Sequence, residues 1–221
     1  MIKVHHLDQS RSQRILWLLE ELGLEYELVC HSRNPVTMRA PDSLKAVHPL
    51  GKAPVIEHDG VVVSESGYII EYLCSRFDPD HQLMPRAGTP AFEQCRYWLH
   101  YAEGSAMPPL VMSLIFSKLG KPPVPWFLRL PGRLLGEGVR QKHLTPEIKT
   151  HIAYWDKTLT HTGWFAGNAL SAADVQMSFP VMAAASRAGI EGAPAVADWL
   201  ERVRARPGWK RAIERGGPFA Y

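Results

Sequence analysis

Cysteine is scarce in this sequence. The 221 residues include three cysteines, Cys30, Cys74 and Cys95, and no two of them form a Cys-x-x-Cys pair. A sparse, odd number argues against a disulfide framework and is typical of a reducing compartment. The local patterns place one cysteine in a strand and two in helices. We therefore predict that all three are packing residues, which disfavours chemistry with a protein thiol.

Long apolar runs are also missing. No segment approaches the roughly 20 consecutive apolar residues of a transmembrane helix. The first residues lack the basic and apolar regions of a secretory signal. We therefore expect a cytoplasmic protein without a membrane partner.

Neither sign of charge is in large excess. The formal net charge of +3 is too small to predict a nucleic-acid partner. One basic cluster occurs, within residues 202–215, and it is interleaved with Glu201 and Glu214. This alternation predicts a solvated helix face.

The ten histidines lack the spacing of a metal site. Neither an HxxxH nor an HExxH arrangement occurs in the chain. His5 and His6 are neighbours in a predicted strand and point to opposite faces, so they cannot easily share a metal. We expect no metal cofactor.

The first third of the chain alternates between strand and helix patterns. Apolar spacing and turn residues predict a strand over 2–7, a helix from Ile15 to Leu22, a strand over 26–30, a short helix over 42–47, a hairpin turning at Asp59-Gly60 and a helix through Phe77. The order βαβ, α, ββα predicts an α/β thioredoxin-like domain with a four-stranded mixed sheet. Its first crossover is expected to be right-handed.

The rest of the chain carries helical patterns alone. A stretch rich in Asp, Pro and Gly predicts a linker at 80–89, between a thioredoxin-like domain at 1–79 and an all-α bundle at 90–221. Pro108-Pro109 is expected to kink or break the first helix of this bundle. The proline-rich stretch from Leu119 to Thr145 predicts a loop with a short helix over 126–135.

The segment from His48 to Ser66 has features of a receptor for a small peptide. A strand that begins at Ala53-Pro54 leaves backbone groups free for an extended ligand, because proline donates no ladder hydrogen bond. The helix start at Ser66 suits a carboxylate, and Glu65 beside it suits an ammonium group. The alternative is that Glu65 and Ser66 only cap the helix.

Four motifs in order resemble the cytosolic glutathione S-transferase family. They are Pro49-Leu50-Gly51-Lys52-Ala53-Pro54-Val55, Glu65-Ser66, Ser171-Ala-Ala-Asp174 and Arg206-Pro207-Gly208-Trp209. Residues 5–12 and 98–105 are most similar to the fungal and bacterial group related to yeast transferase I, a serine-type, theta-like group. The resemblance covers nearly the whole chain and implies a homodimer.

The resemblance implies a glutathione site. Pro54 would be cis, and Ala53 would exchange backbone hydrogen bonds with the cysteinyl part of glutathione. Ser66 would hold the γ-glutamyl carboxylate, with its N–H at the helix start. Glu65 would face the γ-glutamyl amine, and Lys52 would reach the glycyl carboxylate.

Catalysis in this family depends on the glutathione thiolate. A free thiol has a pKa near 8.5, so lowering it by about two units needs roughly 2.7 kcal/mol. A charge-assisted hydrogen bond supplies about 1.5–3 kcal/mol, and a helix N-terminus adds about 0.3–1 kcal/mol. Ser10 precedes the first helix and would donate a hydrogen bond to sulfur, with Arg11 adding positive charge and Ser12 as a second donor. The alternative role of Ser10 is an ordinary N-cap.

An apolar wall for the electrophile is expected against the first helix of the bundle. Its candidate residues are Tyr101, Met107, Met112, Phe116 and Trp164, each of which has core packing as its alternative role. The segment 118–145 is either part of a lid or a surface insertion. The expected activity is that of an EC 2.5.1.18-type transferase for detoxification, with glutathione peroxidase activity left open. A non-catalytic binding or assembly module and a glutathione-dependent isomerase or dehalogenase are the alternatives.

Overall fold

A mixed sheet of four strands forms the first part of the molecule. The structure is a computed structural model, and the residues it describes are 1–35, 37 and 39–217. The strands are β1 (Ile2–Leu7), β2 (Tyr26–His31), β3 (Val55–His58) and β4 (Val61–Ser64), in the spatial order β2-β1-β3-β4. β1 and β2 are parallel, whereas β3 is antiparallel to both β1 and β4. The expected α/β thioredoxin-like sheet is confirmed.

The β3–β4 hairpin turns where the sequence predicts. Asp59 and Gly60 both have positive φ, 50° and 78°. Glycine takes such an angle without strain and aspartate tolerates it, and both central residues of this turn type require it.

Three helices belong to this part of the chain. They are α1 (Ser12–Glu21), α2 (Asp42–Val47) and α3 (Ser66–Phe77). Residues 12–19 of α1 are all buried, because this helix packs against the sheet, α3 and helices of the second part. The start of α1 is therefore held in place from several sides.

All regular elements described after residue 89 are helical. The α-helices are α4 (Pro90–Tyr101), α5 (Met107–Ser117), α6 (Arg129–Val139), α7 (Thr145–Thr162), α8 (Ala172–Ala188), α9 (Pro194–Ala205) and α10 (Pro207–Gly216), with a 3₁₀ turn at Trp126–Leu128. No described helix is long and apolar enough to cross a membrane. The buried residues of both parts form one continuous core.

The prolines at 108 and 109 do not break the first helix of the bundle. A π-helical turn at Ala102–Ala106 joins α4 to α5, and the two prolines occupy the first turn of α5. Proline has no N–H to donate to the preceding turn, and the π turn lies directly before the two prolines, where the regular α-helical hydrogen-bond pattern is already interrupted. The predicted irregularity is confirmed, but the chain stays helical through it.

The stretch from Leu119 to Thr145 is more helical than predicted. The expected short helix over 126–135 is present, as the 3₁₀ turn and the first part of α6, but the loop expected after it is not. α6 covers Arg129–Val139, and a second π turn at Arg140–Leu144 continues it into α7. The prolines of this stretch precede α6 or, like Pro131, lie in its first turn, where they cost no internal hydrogen bond.

Asp174 fixes the start of α8. It is fully buried, and its carboxylate accepts hydrogen bonds from the N–H groups of Ser171 and Phe165 and from the Trp199 indole. Burial raises the pKa of this carboxyl, which these hydrogen bonds oppose. Ser171 and Asp174 of the Ser171-Ala-Ala-Asp174 motif form a capping box.

The basic cluster at 202–215 is not simply a solvated helix face. Arg206 donates two parallel hydrogen bonds of 2.7 Å to Glu21, and Arg211 donates one of 2.7 Å to Glu20. Both glutamates lie at the end of α1, and their side chains are about nine-tenths buried. The cluster therefore ties the last two described helices to α1.

Candidate glutathione site

A cleft of about 260 Å³ opens where α1, α3 and the π turn at Ala102–Ala106 meet. Its lining residues are Arg11, His48, Leu50, Lys52, Ala53, Pro54, Ser64, Glu65, Ser66 and Glu103. All five predicted glutathione-binding residues are in this set, as is Arg11. Ser10 and Ser12 are not.

Glu65 and Ser66, at the start of α3, line this cleft. Glu65 precedes the helix with φ 70° and ψ 119°, an uncommon conformation for a residue that is not glycine. Residues held in such conformations cluster at ligand sites. Neither Glu65 nor Ser66 is used to cap α3 through its side chain. Both side chains are thus available to a ligand.

The strand entry at 52–54 lies on another side of the cleft. The Ala53-Pro54 peptide bond is cis, which confirms that prediction. No described residue forms a hydrogen bond with the backbone of Ala53, because the ladder between β3 and β1 begins at Val55. Lys52 is exposed and forms no ion pair with the described part of the chain.

Arg11, Arg14 and Glu103 form an ion-pair network beside the cleft. Glu103 accepts hydrogen bonds of 2.9 and 3.0 Å from Arg11 Nε and one of 2.7 Å from Arg14. Burial would raise the pKa of Glu103, but the two guanidinium groups outweigh it and hold the pKa below its ordinary value. The Phe179 ring lies 4.9 Å and 5.1 Å from the two guanidinium carbons. Arg11 is therefore positioned by α8 and by the π turn.

Ser10 stands at one end of a hydrogen-bonded chain. Its Oγ is 2.8 Å from Ser12 Oγ, which is 2.9 Å from His6 Nδ1, and His6 Nε2 is 2.9 Å from the Gly216 carbonyl. A carbonyl only accepts, so His6 carries its proton on Nε2 and accepts at Nδ1 from Ser12. Burial lowers the pKa of His6, which favours this neutral form. The Ser10 oxygen is also held by the N–H of Ser12, at 3.2 Å.

The structure places the two predicted serines differently. Ser12 is completely buried, and its hydroxyl contacts Leu7, His6 and Ser10. It is therefore a support for Ser10 rather than a donor that reaches the cleft. Ser10 itself is 6% exposed.

The five predicted residues of the apolar wall are not brought together on the cleft. Met107 is buried in the core, and Met112 is 45% exposed on α5. The Tyr101 hydroxyl contacts His151 and accepts a hydrogen bond from Trp155, whereas the Trp164 ring lies under Arg202. Phe116 is partly buried, and its carbonyl faces Gly136 of α6.

Four cleft residues were not predicted from the sequence: His48, Leu50, Ser64 and Glu103. The first three lie within or beside the segment that the Ala53-Pro54 motif marks, and closer attention to it would have found them. Glu103 is 92 positions from Arg11, and no local pattern signals that they pair.

Two of the three cysteines are buried and one is exposed. Cys74 and Cys95 are buried, as predicted, and burial raises the pKa of Cys95 to about 12. Cys30 is exposed on β2, so its predicted packing role was wrong. No cluster of three metal-ligating side chains occurs among the described residues.

The structure combines a thioredoxin-like sheet, a helical bundle and a cleft lined by residues of both parts. The family models of the glutathione S-transferase N-terminal domain and C-terminal domain match residues 10–76 and 137–215. The chain belongs to the glutathione S-transferase family.

Similar proteins match this chain over nearly its whole length. It is 35% identical to Glutathione S-transferase 1 of Saccharomyces cerevisiae, covering 97% of this chain and 95% of that one. It is also 35% identical to Glutathione S-transferase 3 of Schizosaccharomyces pombe, covering 97% of this chain and 88% of that one. A crystal structure of a glutathione S-transferase from Actinobacillus pleuropneumoniae matches with a TM-score of 0.80 and 30% identity, over 99% of this chain and 94% of that one.

Proposed function

We propose that this protein transfers the thiolate of glutathione to small apolar electrophiles. The observation that carries the proposal is the convergence of Lys52, Glu65 and Ser66 on one cleft, none of them paired with a described residue. A tripeptide with two carboxylates and one ammonium group matches this set of charges. The unpaired backbone of Ala53 suits its central peptide unit.

Ser10 is proposed to stabilise the thiolate by donating a hydrogen bond to sulfur. In the structure its proton points to Ser12, because Ser12 donates to His6. Rotation of the hydroxyl redirects the proton, while the N–H of Ser12 keeps the oxygen in place. A serine hydroxyl is far too weak a base to take the thiol proton, so its role is that of a donor. Arg11 adds positive charge from the cleft wall.

One observation favours a second candidate function. The Ser10 hydroxyl already has a partner in Ser12 and is nearly buried. If it keeps that partner when glutathione binds, the protein is a glutathione-binding module without thiolate chemistry. Peroxidase, isomerase and dehalogenase activities would use the same thiolate and differ only in the second substrate.

An ultraviolet titration of the bound glutathione thiolate tests the proposal. We expect the wild-type protein to lower the thiol pKa clearly below its free value near 8.5. Ser10→Ala should return the pKa toward that value and lower turnover by about 10- to 100-fold, which is the loss of one charge-assisted hydrogen bond. Glutathione affinity should change little, and the control Ser117→Ala, which alters a hydroxyl bonded to Leu114, should match wild type.

Two other outcomes of the titration and the activity assay would contradict the proposal. Full activity in Ser10→Ala would remove the assigned role of Ser10. An unshifted thiol pKa at saturating glutathione in the wild-type protein would favour the binding module.

We also propose a cytoplasmic homodimer, as family membership suggests. The proposed organisation is a glutathione-binding domain at 1–79, a linker at 80–89 and a helical domain at 90–221. Sedimentation velocity at micromolar concentration tests the dimer, and a monomer there would overturn it. Limited proteolysis within 80–89 that releases two stable fragments would support the domain boundaries.

A further inference from the structure

Helix α6 presents its leucines to solvent and two of its three glycines to the protein. Leu130, Leu134 and Leu135 are 66%, 67% and 64% exposed. On the opposite side, a Cβ at Gly132 would lie 2.5 Å from the Leu119 carbonyl oxygen, and one at Gly136 would lie 2.4 Å from that of Phe116. A surface helix of a water-soluble protein normally has the reverse arrangement, with its large apolar residues toward the core.

The 3₁₀ turn before α6 extends this apolar surface. Trp126, Phe127 and Leu128 are 79%, 61% and 47% exposed. We call these three residues, together with the three outward leucines of α6, the outer face. Six large apolar side chains on a stretch of ten residues exceed the scattered exposure that is normal on a protein surface.

The segment that contains the outer face is rich in positive charge. Residues 118–142 contain six Lys and Arg residues and one acidic residue, Glu137, a net charge of +5. Because the whole chain carries +3, the remaining residues carry −2. Lys118, Lys121 and Arg133 are exposed and form no ion pair with the described residues.

We propose that the outer face docks on an anionic lipid bilayer, where it lies in the plane of the headgroups. Helices that bind membrane surfaces combine Trp, Phe and Leu on one face with Lys and Arg around it. Indole rings prefer the interface between headgroups and acyl chains, and basic side chains are attracted to anionic headgroups. This proposal replaces the expectation that the protein has no membrane partner, and it does not depend on the proposed activity.

A second copy of the chain fits the outer face less well. A symmetric contact through this face would bring two segments of charge +5 together, and a buried surface between them would hold few acidic partners for these cations. Like charges facing each other oppose association. An anionic bilayer supplies both the apolar volume and the opposite charge.

Flotation with lipid vesicles tests the proposal. The full chain is mixed with vesicles of phosphatidylcholine alone or with about a third phosphatidylserine, at low and at high salt. We expect binding to the anionic vesicles, weaker binding at high salt and little binding to the neutral vesicles, since salt screens exposed charges.

Two variants separate the apolar and the electrostatic contributions. Leu130→Ser with Leu134→Ser should reduce partitioning about 30-fold or more, as expected when two leucines are no longer buried. Lys118→Gln, Lys121→Gln and Arg133→Gln together should reduce it about 100-fold at low salt, at about fivefold for each charge. All five positions are exposed, so far-ultraviolet circular dichroism should show an unchanged fold.

Matched control variants remove charges or exposed apolar side chains outside residues 118–142. Lys157→Gln, Arg204→Gln and Lys210→Gln remove three exposed charges outside the segment, and Val61→Ser and Val62→Ser remove exposed apolar residues of β4. Both controls should bind anionic vesicles like wild type. If the test and control variants lost vesicle binding equally, net charge or general hydrophobicity would explain the binding. That result would overturn the proposal.

Absence of wild-type binding to anionic vesicles also overturns it. In that case sedimentation velocity decides the occupant. An oligomer that dissociates in the Leu130→Ser, Leu134→Ser variant would assign the outer face to a second copy of the chain.

Discussion

At the scale of single residues, Glu103 joins parts of the chain that are far apart in sequence. It pairs with Arg11 in the cleft wall and with Arg14, which is 1% exposed. We predict that Glu103→Gln lowers the free energy of unfolding by about 1–3 kcal/mol, because it removes the carboxylate that pairs with the buried Arg14 guanidinium. Urea denaturation of the ligand-free protein measures this change.

The control for Glu103 is another glutamate that pairs with an arginine. Glu137 pairs with Arg140 at 3.0 Å, but its side chain is 49% exposed. Glu137→Gln should change the free energy of unfolding by less than about 0.5 kcal/mol, as is usual for exposed pairs. Equal effects in the two variants would show that Glu103 is not held in a special environment.

Three histidines, two of them buried and one partly buried, predict a loss of stability in mild acid. Burial lowers the pKa of His6, His31 and His151 in the folded state. The unfolded chain therefore binds protons first, and stability falls as the pH drops through the unfolded value near 6.5. Urea unfolding between pH 7.5 and pH 5 should show this fall.

A variant at one histidine checks the origin of this pH dependence. His6→Asn should make the fall in stability shallower, because one group that takes up a proton on unfolding is gone. His161→Asn, at an exposed position, is the control for the substitution itself. A slope that is the same in His6→Asn and wild type would contradict the assignment.

Single residues were predicted well where a local motif carries them. Glu65, Ser66, Lys52 and the cis Pro54 all lie in one short segment, and the structure brings them to one cleft. Glu103 was missed because its role depends on a contact across 92 positions. Periodicity and capping patterns contain no information about such a contact.

At the scale of elements, α10 approaches the start of α1 very closely at Gly216. A Cβ there would lie 2.5 Å from Leu16 Cδ1, 2.7 Å from Gln13 Oε1 and 3.3 Å from His6 Cε1. We predict that Gly216→Ala displaces the end of α10 and lowers stability by about 1–3 kcal/mol, as overpacking does. It should also lower turnover, because the Gly216 carbonyl anchors the His6–Ser12–Ser10 chain.

Gly138 in α6 is the matched control for this substitution. A Cβ at Gly138 would contact nothing within 4 Å. Gly138→Ala should be neutral or stabilise the protein by about 0.5–1 kcal/mol, because alanine has the higher helix propensity. Thermal unfolding and an activity assay on both variants check the pair, and an unaffected Gly216→Ala protein would contradict the close approach.

Some helix boundaries were predicted closely. α2 was predicted over 42–47 and observed at Asp42–Val47. The π turns at Ala102–Ala106 and Arg140–Leu144 were not foreseen, because a wider turn has no short sequence signal. The many prolines of 119–145 led to the prediction of a loop over most of this stretch. In the structure they lie before α6 or in its first turn, where they do not interrupt the helix.

At the scale of the whole molecule, Arg206 and Glu21 hold the second part of the chain to α1. The pair is bidentate, and its hydrogen bond to Glu21 raises the pKa of Arg206. We predict that Arg206→Ala lowers the free energy of unfolding by about 1–3 kcal/mol. Arg206→Lys should restore only part of this loss, since a lysine cannot form two parallel bonds.

Urea denaturation measures this effect as well, with Arg204→Ala as the control. Arg204 is exposed on the same helix and forms no ion pair with the described residues. Full stability in Arg206→Ala would show that apolar packing alone holds the two parts together.

The overall architecture was predictable because its signals are local and consistent. Strand and helix periods change character near residue 78, and the motifs follow each other in the expected order. The relation between the two parts was not predictable in detail. The basic cluster was expected to be solvated, because the partners of Arg206 and Arg211 are 185 and 191 positions away.

The hydrogen bond from His6 to Gly216 spans 210 positions, and this has a consequence during synthesis. A ribosome releases β1 and the first turn of α1 long before it releases α10. The sheet and the cleft segment can therefore form while His6 still lacks its acceptor, and the Ser10 hydroxyl lacks its final orientation. On the proposed function, a chain that stalls before α10 would contain every residue proposed to bind glutathione, but it would lack the carbonyl that orients His6, Ser12 and Ser10.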